Sequence, residues 1–207
     1  DGYTLMLASQ TIVINRYALK SMSVDPEKAF VPVATIVDSA PFALIANASL
    51  AAKNLDDLIA LAKKQPGKLT YGITVPISGM FGQWIGKRAA VVILEVPYKT
   101  TQQMLQDNIT GQISLSVSSL PGIAELVRAG KLRVLAVTSA ARLKGWEDVP
   151  TVGETFPGFE MNGWVVLLVP RGTPAPVVLR LNRASQQIVK DPGFASRLGQ
   201  WGWQNLQ

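Results

Sequence analysis

The segment "LTYGITVPISGMFGQW", residues 69–84, contains the pattern on which the fold assignment depends. A short apolar run ends at Tyr71-Gly72, a loop with threonine, serine and glycine follows, and a helix-like pattern begins there. This order is typical of a strand that passes into a helix. Because the first N–H groups of a helix have no partner inside the helix, such a loop can hold a small anion. It can equally be an ordinary turn.

Seven more apolar segments have the length of strands, and most are continuous rather than alternating, as in strands covered on both faces. They occupy residues 4–8, 33–37, 42–46, 91–96, 113–117, 132–137 and 165–169. Helical patterns separate most of them, at residues 54–67, 100–111, 118–131 and 172–193. The clearest begins at Asn54, which can cap it, and ends at Pro66-Gly67. Strands that alternate with helices predict an α/β protein with mainly parallel sheets.

Composition excludes several classes of protein. The 207 residues are 48% hydrophobic, enough for a substantial core in one domain or two small lobes. No apolar run approaches the roughly 20 residues that span a bilayer. The absence of Cys and His excludes Ser-His-Asp catalysis, Cys nucleophiles and thiolate or imidazole metal sites. We therefore expect no enzyme activity and no thiolate or imidazole metal site.

The net charge of +6 has two interpretations. A basic surface can bind nucleic acid, whereas scattered basic residues usually form a solvated surface. The basic residues occur singly or in pairs such as Lys63-Lys64, without a basic run or interleaved aromatic residues. We therefore predict no nucleic-acid partner. A mildly positive field would help to attract small anions.

Four of the predicted loops are small and rich in hydroxyl groups. They are Ser9-Gln10-Thr11, the loop from Thr74 to Gly79, Lys99-Thr100-Thr101, and Ser118-Ser119. In open α/β sheets ligands bind beyond the carboxyl ends of the strands, where loops lead into helices. Hydroxyl and N–H groups that converge there would suit a carboxylate or another small polar solute. The same residue types are also ordinary helix caps, so each loop has a purely structural interpretation as well.

The order of segments resembles the Bug family of solute-binding receptors, which belong to tripartite tricarboxylate transporters. The resemblance is carried by "DGYTLML", "DPEKAFVPVATI", "LDDLIALAKKQPGKLTYG", "VPYK", "LQDNITGQISL", "LPGIAELVRAGKLRVLAVTSAARL", "DVPTVGETFPGFEMNGW" and "LLVPRGTP". These segments cover essentially the whole chain in register. No single one is diagnostic, but their order is specific.

The resemblance implies a two-lobed, type II periplasmic-binding-protein-like fold with crossover strands, closing on a ligand at the hinge. We expect lobe 1 at residues 1–65 and 165–207 and lobe 2 at 66–164. The family's usual N-terminal strand and C-terminal helix are expected to be missing. The resemblance also implies export to the periplasm by a signal peptide outside this chain, capture of a small carboxylate or related polar solute, and delivery to a membrane permease. It implies a monomer without a cofactor.

The chain departs from the family pattern at the loop after the 69–72 strand. The family usually has two glycines there, where this sequence has Val75 and Ile77 on either side of Pro76. We expect these side chains to narrow the pocket or to form an apolar wall, unless the loop has lost contact with the ligand. Trp164 is expected either to pack over the ligand or to fill the hinge. The residues predicted to bind the ligand are Ser9, Gln10, Thr11, Thr74, Ser78, Gly79, Lys99, Thr100, Ser118, Ser119 and Trp164.

Alternatives from other classes stay open at this point. A LysR-type effector domain has a similar architecture, but it follows a helix-turn-helix segment that this sequence lacks. A receptor that presents its ligand to a sensor kinase cannot be distinguished from a transport receptor by sequence.

Overall fold

The computed structural model describes residues 3–18 and 21–205. The strands of this part are β1 (Met6–Ser9), β2 (Phe30–Asn47), β3 (Thr70–Ile73), β4 (Leu94–Pro97), β5 (Leu115–Ser119), β6 (Leu132–Val137) and β7 (Asn162–Pro170). The helices are α1 (Thr11–Ala18), α2 (Pro26–Ala29), α3 (Leu55–Lys64), α4 (Pro76–Ala89), α5 (Thr101–Thr110), α6 (Leu120–Arg128), α7 (Val152–Thr155), α8 (Ala175–Val189) and α9 (Pro192–Gln200).

The chain forms two compact units. The first contains the described residues up to Ala40 and from Asn162 onward, and the second is Pro41–Met161. The sequence-based division put residues 41–65 in lobe 1, whereas the structure puts them in the second unit. The reason is that the end of β2 pairs with β5 and β6, and α3 packs its Leu55 and Leu58 into the core of that unit. At its other boundary the second unit ends at Met161, three residues before the predicted end of lobe 2 at residue 164.

In the first unit β1 pairs with β7 in antiparallel register, with Ser9 opposite Val165. The core of this unit lies where β2 and β7 meet the C-terminal helices. Val33 and Val169 are buried against α8, and Val37 is buried against Leu198 of α9. The amide of Asn182 on α8 also donates to the carbonyl oxygen of Val33 at 2.6 Å, so α8 is fixed by polar as well as apolar contacts.

In the second unit the strands lie in the order β6-β2-β5-β3-β4. Successive residues of β2 face two different cores. Leu44 and Ala46 pack with residues of α3 and α4, while Ala43 and Ile45 pack with Leu120 and Ile123 of α6. This burial on both faces explains why the apolar run is continuous rather than alternating.

The sheet of the second unit is mixed, not mainly parallel as the sequence predicted. β3 is parallel to β4 and β5, but β2 is antiparallel to both β5 and β6. The predicted strands at 33–37 and 42–46 are also one strand of 18 residues. Pro41 does not break this strand, because the fixed φ of proline is compatible with extended backbone. A long strand that serves both units is the crossover element that the resemblance implied.

The helix predicted from Asn54 is confirmed. Asn54 has extended backbone, and its side chain accepts from the N–H of Asp57 at 2.8 Å. Asp56 and Asp57 occupy the first turn, and Lys63 and Lys64 occupy the last, in the order that the helix dipole favours. The local chemistry of the segment is therefore sufficient to define both ends of α3.

Candidate functional site

A pocket of about 230 Å³ lies in the second unit, beyond the carboxyl ends of β3 and β5. Half of its lining consists of hydroxyl side chains, from Thr74, Ser78, Thr101, Ser118 and Ser119. The other half is apolar, from Phe42, Val75, Ile77, Val117 and Met161. Within the described part of the chain, this lining carries no formal charge.

Three helices begin at this pocket. Ile77 and Ser78 belong to the first turn of α4, Thr101 is the first residue of α5, and Ser119 holds the N-cap position of α6. They follow β3, β4 and β5, which run parallel, so their N-terminal ends lie at the same edge of the sheet. Each N-terminus has a partial positive charge of about half a unit. The pocket therefore favours an anion without any basic side chain.

Ser118 is, with Ser78, one of two buried hydroxyl residues in the described part of the lining. It is only 9% exposed, and its hydroxyl group has no hydrogen-bond partner among the described residues. Ser119 likewise makes no side-chain cap bond to α6, although it stands at the N-cap. Both residues line the pocket, so their hydroxyls face its open space. These two hydroxyls are therefore available to a molecule in the pocket.

Ser78 is held in place by its neighbours. It is buried, and its hydroxyl donates to the carbonyl oxygen of Val75 at 2.7 Å. The hydroxyl of Tyr71 on β3 donates to the carbonyl oxygen of Ser78 at 2.8 Å. Burial, with a smaller contribution from the charge of Glu95, raises the pKa of Tyr71 far above its usual range. Tyr71 therefore stays protonated and keeps the first turn of α4 against the sheet.

Thr138 positions two of the apolar residues. It is fully buried, and its side-chain oxygen accepts from the N–H of Phe42 at 2.7 Å. Its N–H donates to the carbonyl oxygen of Phe42, and its carbonyl oxygen accepts from the N–H of Met161, each at 2.9 Å. These hydrogen bonds hold Phe42 and Met161, two residues of the apolar half of the lining, against the residue that follows β6.

Tyr98 attaches the loop before α5 both to β3 and to α5. The N–H of Tyr98 donates to the carbonyl oxygen of Ile73 at 2.8 Å, and its hydroxyl donates to a carboxylate oxygen of Asp107 at 2.7 Å. Desolvation and then the hydrogen bond to Asp107 raise the pKa of Tyr98 to about 12. This bracing fixes the start of α5, and with it Thr101.

The structure brings together four of the seven residues that the sequence predicted in this unit: Thr74, Ser78, Ser118 and Ser119. Gly79 is buried beside Ile73 and Glu95 and does not line the pocket. Lys99 and Thr100 are exposed and also lie outside its lining. Thr100 is instead the cap of α5, where it accepts from the N–H of Gln103 at 3.3 Å.

The predicted residues of the first unit lie where β1 ends and α1 begins. Ser9 is the last residue of β1, and Thr11 is the first residue of α1. Gln10 accepts from the N–H of Trp164 at 3.2 Å. A Cβ at Gly163 would lie 3.3 Å from the amide atoms of Gln10, so glycine leaves room for this contact. Trp164 lines a separate groove of about 630 Å³ within this unit.

Four lining residues were missed by the sequence prediction: Phe42, Thr101, Val117 and Met161. Thr101 had a visible signal, since it follows Thr100 in a hydroxyl-rich loop. Phe42 and Met161 had none, because Thr138 joins them across large sequence separations.

Among the described residues, no group of three or more carboxylate side chains is placed to bind a metal ion. None of their helices combines the length and the apolar character that a membrane crossing requires.

Comparison with known proteins places the chain in a family. The tripartite tricarboxylate transporter family receptor, TctC, matches residues 1–206. A UPF0065 protein of Bordetella bronchiseptica is 33% identical over 208 residues, which cover 100% of this chain and 62% of the relative. BugT of Bordetella pertussis is 29% identical over 188 residues, covering 88% of this chain and 57% of BugT. The chain thus spans about three fifths of the length of these curated relatives.

Solved structures agree with this assignment. Rpa4515 of R. palustris, solved with adipate, has a TM-score of 0.92 and 32% identity over 99% of this chain and 69% of that protein. The periplasmic binding protein BugD has a TM-score of 0.89 and 28% identity over 100% of this chain and 70% of BugD. These likenesses confirm the predicted periplasmic-binding-protein fold. The chain belongs to the tripartite tricarboxylate transporter family of receptors, as do the Bug proteins that its sequence resembles.

Proposed function

We propose that this chain is the solute-binding part of a periplasmic receptor, and that it binds a small carboxylate in the pocket of the second unit. One observation carries the proposal. Ser118 is 9% exposed and has no side-chain partner among the described residues, and it lines a pocket at which three helices begin. This hydroxyl faces the open space of the pocket, where an anion at the helix N-termini could accept its hydrogen bond.

The proposed contacts follow from the donors that are present. Carboxylate oxygens would accept from the hydroxyls of Thr74, Ser118 and Ser119 and from free N–H groups in the first turns. The partial charges of the helices would take the place of a basic side chain. The pocket of about 230 Å³ is smaller than the roughly 300–1,000 Å³ of sites for drug-sized ligands, which favours a small solute.

Solved structures of relatives give independent support for this assignment. The structure of Rpa4515 was solved with adipate, a dicarboxylate, and BugD is described as a periplasmic binding protein. By this analogy the partner of the receptor is the membrane permease of the transporter. The solute would be carried unchanged, since the chain has no Cys or His for nucleophilic or general-base chemistry. The family match also argues against a LysR-type effector domain.

Contact between the solute and the first unit, through Ser9, Gln10, Thr11 and Trp164, remains a prediction. Gln10 and Trp164 are adjacent through the hydrogen bond at 3.2 Å, but the Gln10 oxygen is already used by the N–H of Trp164. The amide nitrogen of Gln10 and the indole of Trp164 are the groups that remain to contact a solute.

Isothermal titration of the full chain against a panel of small carboxylates tests the proposal. We expect saturable binding of at least one compound, and a loss of roughly tenfold in affinity for Ser118→Ala, as for one hydrogen bond to a charged group. Ser185→Ala is the matched control, since Ser185 is also buried, at 5% exposure, and lies in α8 outside the pocket. Silence across the panel, with a cooperative thermal transition showing that the chain is folded, would overturn the proposal.

A further inference from the structure

Thr138 lies outside the lining of the pocket in the second unit, yet it is bonded to two residues of that lining. It directly follows β6 and is fully buried. Its partners are Phe42 and Met161, which are the second residue and the last residue of the second unit. One buried residue therefore joins three segments that are distant in sequence.

The hydroxyl of Thr138 takes the place of a backbone oxygen in the sheet. In a hydrogen-bonded pair of antiparallel residues, each N–H donates to the carbonyl oxygen of the other residue. Phe42 and Thr138 extend the pairing of β2 with β6 by one residue beyond Ala43 and Val137. The N–H of Thr138 donates to the carbonyl oxygen of Phe42 at 2.9 Å, as in an ordinary pair. The N–H of Phe42 instead donates to the hydroxyl oxygen of Thr138 at 2.7 Å.

This exchange leaves the carbonyl oxygen of Thr138 to the third segment. It accepts from the N–H of Met161 at 2.9 Å. The Phe42 N–H points to the hydroxyl oxygen rather than to this carbonyl. A residue without a hydroxyl would therefore leave the Phe42 N–H unpaired, unless the backbone at position 138 turned back to Phe42 and released Met161. An unpaired N–H inside a protein is unfavourable, so either response would disturb one of the two lining residues.

Phe42 connects this arrangement to the polar half of the pocket. β2 lies between β6 and β5, and Phe42 is directly opposite Ser119 of β5. Side chains of directly opposite residues lie on the same face of the sheet, with their Cβ atoms about 5 Å apart. A shift of the backbone at Phe42 would therefore disturb Ser119 as well as the apolar lining. Both halves of the pocket depend on the bonds of Thr138.

We propose that Thr138 is a positioning residue for ligand binding, and that its hydroxyl group is the part required. It acts through Phe42 and Met161 and does not touch the ligand. Serine has the same hydroxyl group and should replace threonine, whereas valine has nearly the shape of threonine but no hydroxyl. The effect on affinity rests on the proposed function, whereas the hydrogen bonds of Thr138 do not depend on any ligand.

Isothermal titration of the full chain with hexanoate and with adipate measures the effect on affinity. We expect Thr138→Val to weaken binding roughly 3- to 30-fold, the range for residues that act on a site without contacting its ligand. Thr138→Ser should bind nearly as tightly as the parent chain, because serine keeps the acceptor for the Phe42 N–H. If Thr138→Val does not fold, Thr138→Ala takes its place, since it differs from the serine variant only by the hydroxyl.

Thr70→Val is the matched control. The Thr70 side chain also accepts from a backbone N–H of the same unit, that of Ser114 at 2.9 Å, but Thr70 lies outside the pocket lining. This variant should lower the melting temperature to a similar extent and leave the affinity unchanged. If Thr70→Val weakens binding as much as Thr138→Val does, affinity follows overall stability and Thr138 has no positioning role.

Amide hydrogen exchange, resolved by NMR, tests the arrangement without a ligand. In the parent chain and in Thr138→Ser, the N–H groups of Phe42 and Met161 should both be protected. In Thr138→Val at least one of them should exchange at least about tenfold faster, relative to the remaining amides of β2. Unchanged protection of both groups in Thr138→Val would overturn the proposal.

The titrations can overturn it as well. Equal affinity of Thr138→Val and the parent chain would show that the pocket does not depend on this residue. Equal losses for Thr138→Val and Thr138→Ser would show that the hydroxyl is not the part required. If neither acid binds to the folded parent chain, the role of Thr138 in affinity fails together with binding of these carboxylates, while hydrogen exchange still decides whether its hydroxyl holds Phe42 and Met161.

Discussion

The hydroxyl of Tyr71 lies 2.8 Å from the carbonyl oxygen of Ser78 and donates a hydrogen bond to it. This contact joins the end of β3 to the first turn of α4, so a core residue fixes the geometry of the pocket. Tyr71 is 2% exposed, and its hydroxyl therefore has no access to water as an alternative partner.

Tyr71→Phe should lower the free energy of unfolding by about 1 kcal/mol, because it removes one buried hydrogen bond and leaves a carbonyl oxygen with fewer donors. Urea unfolding measures the effect. Tyr17→Phe is the control, since Tyr17 is 80% exposed and should change stability little. Equal effects of the two substitutions would contradict a structural role for the contact.

Gly82→Ala should destabilise the protein by about 1–3 kcal/mol, although alanine is normally the better helix residue. A Cβ at Gly82 would lie 2.7 Å from a ring carbon of Tyr71, which itself is fixed by its bond to Ser78. Gly199→Ala in α9 is the matched control, because a Cβ there has nothing within 4 Å and should stabilise by up to about 1 kcal/mol. Thermal unfolding of both variants measures the two changes in stability. If both substitutions stabilise the protein, Tyr71 moves aside to accept the Cβ at position 82.

Parts of this molecule that depend on neighbouring residues were predictable from sequence. The boundaries of α3 follow from Asn54 at one end and Pro66-Gly67 at the other. The hydroxyl-rich loops were also visible, and four of their residues line one pocket. Each of these features is set by contacts over a few residues, which is the range that a local pattern describes.

Features that depend on distant contacts were not predictable. The direction of β2 relative to β5 and β6 is set by tertiary packing, so the alternation of elements suggested a parallel sheet. The apolar wall exists because Thr138 binds Phe42 across 96 residues of sequence. Adjacent residues also differ in role, since Thr100 caps α5 while Thr101 lines the pocket. The difference depends on the exact residue at which α5 begins.

Val75→Ser should raise the free energy of unfolding by about 1 kcal/mol, because serine supplies the side-chain cap that α4 lacks. Val75 already has the extended backbone of an N-cap residue and is 39% exposed, so little apolar burial is lost. The melting temperature should rise by roughly 2–4 °C. Ser119→Ala is the comparison, since Ser119 makes no cap bond and its loss should leave stability nearly unchanged. No gain for Val75→Ser would mean that the serine hydroxyl does not reach the free N–H groups of α4.

Glu154→Gln should reduce stability at neutral pH but not in strong acid. The guanidinium of Arg142 contacts both carboxylate oxygens of Glu154, at 2.8 and 2.6 Å, and together with the N–H of Thr151 lowers the pKa of Glu154 from 4.5 to about 2. Because this pKa is lower in the folded state, the stabilisation is complete above pH 4.5 and is lost as the pH falls towards about 2. Glutamine can still serve the capping box with Thr151, so the substitution removes mainly the charge.

The measurement is urea unfolding of parent and Glu154→Gln at several pH values between 7 and 2. Both side chains are nearly half exposed, so the difference at neutral pH should be small, as for other surface ion pairs. It should shrink below pH 4.5, and Arg142→Gln should show the same dependence, because that variant removes the other half of the pair. A difference that stays constant down to pH 2 would show that the carboxylate acts through packing or capping and that its ion pair with Arg142 adds nothing to stability.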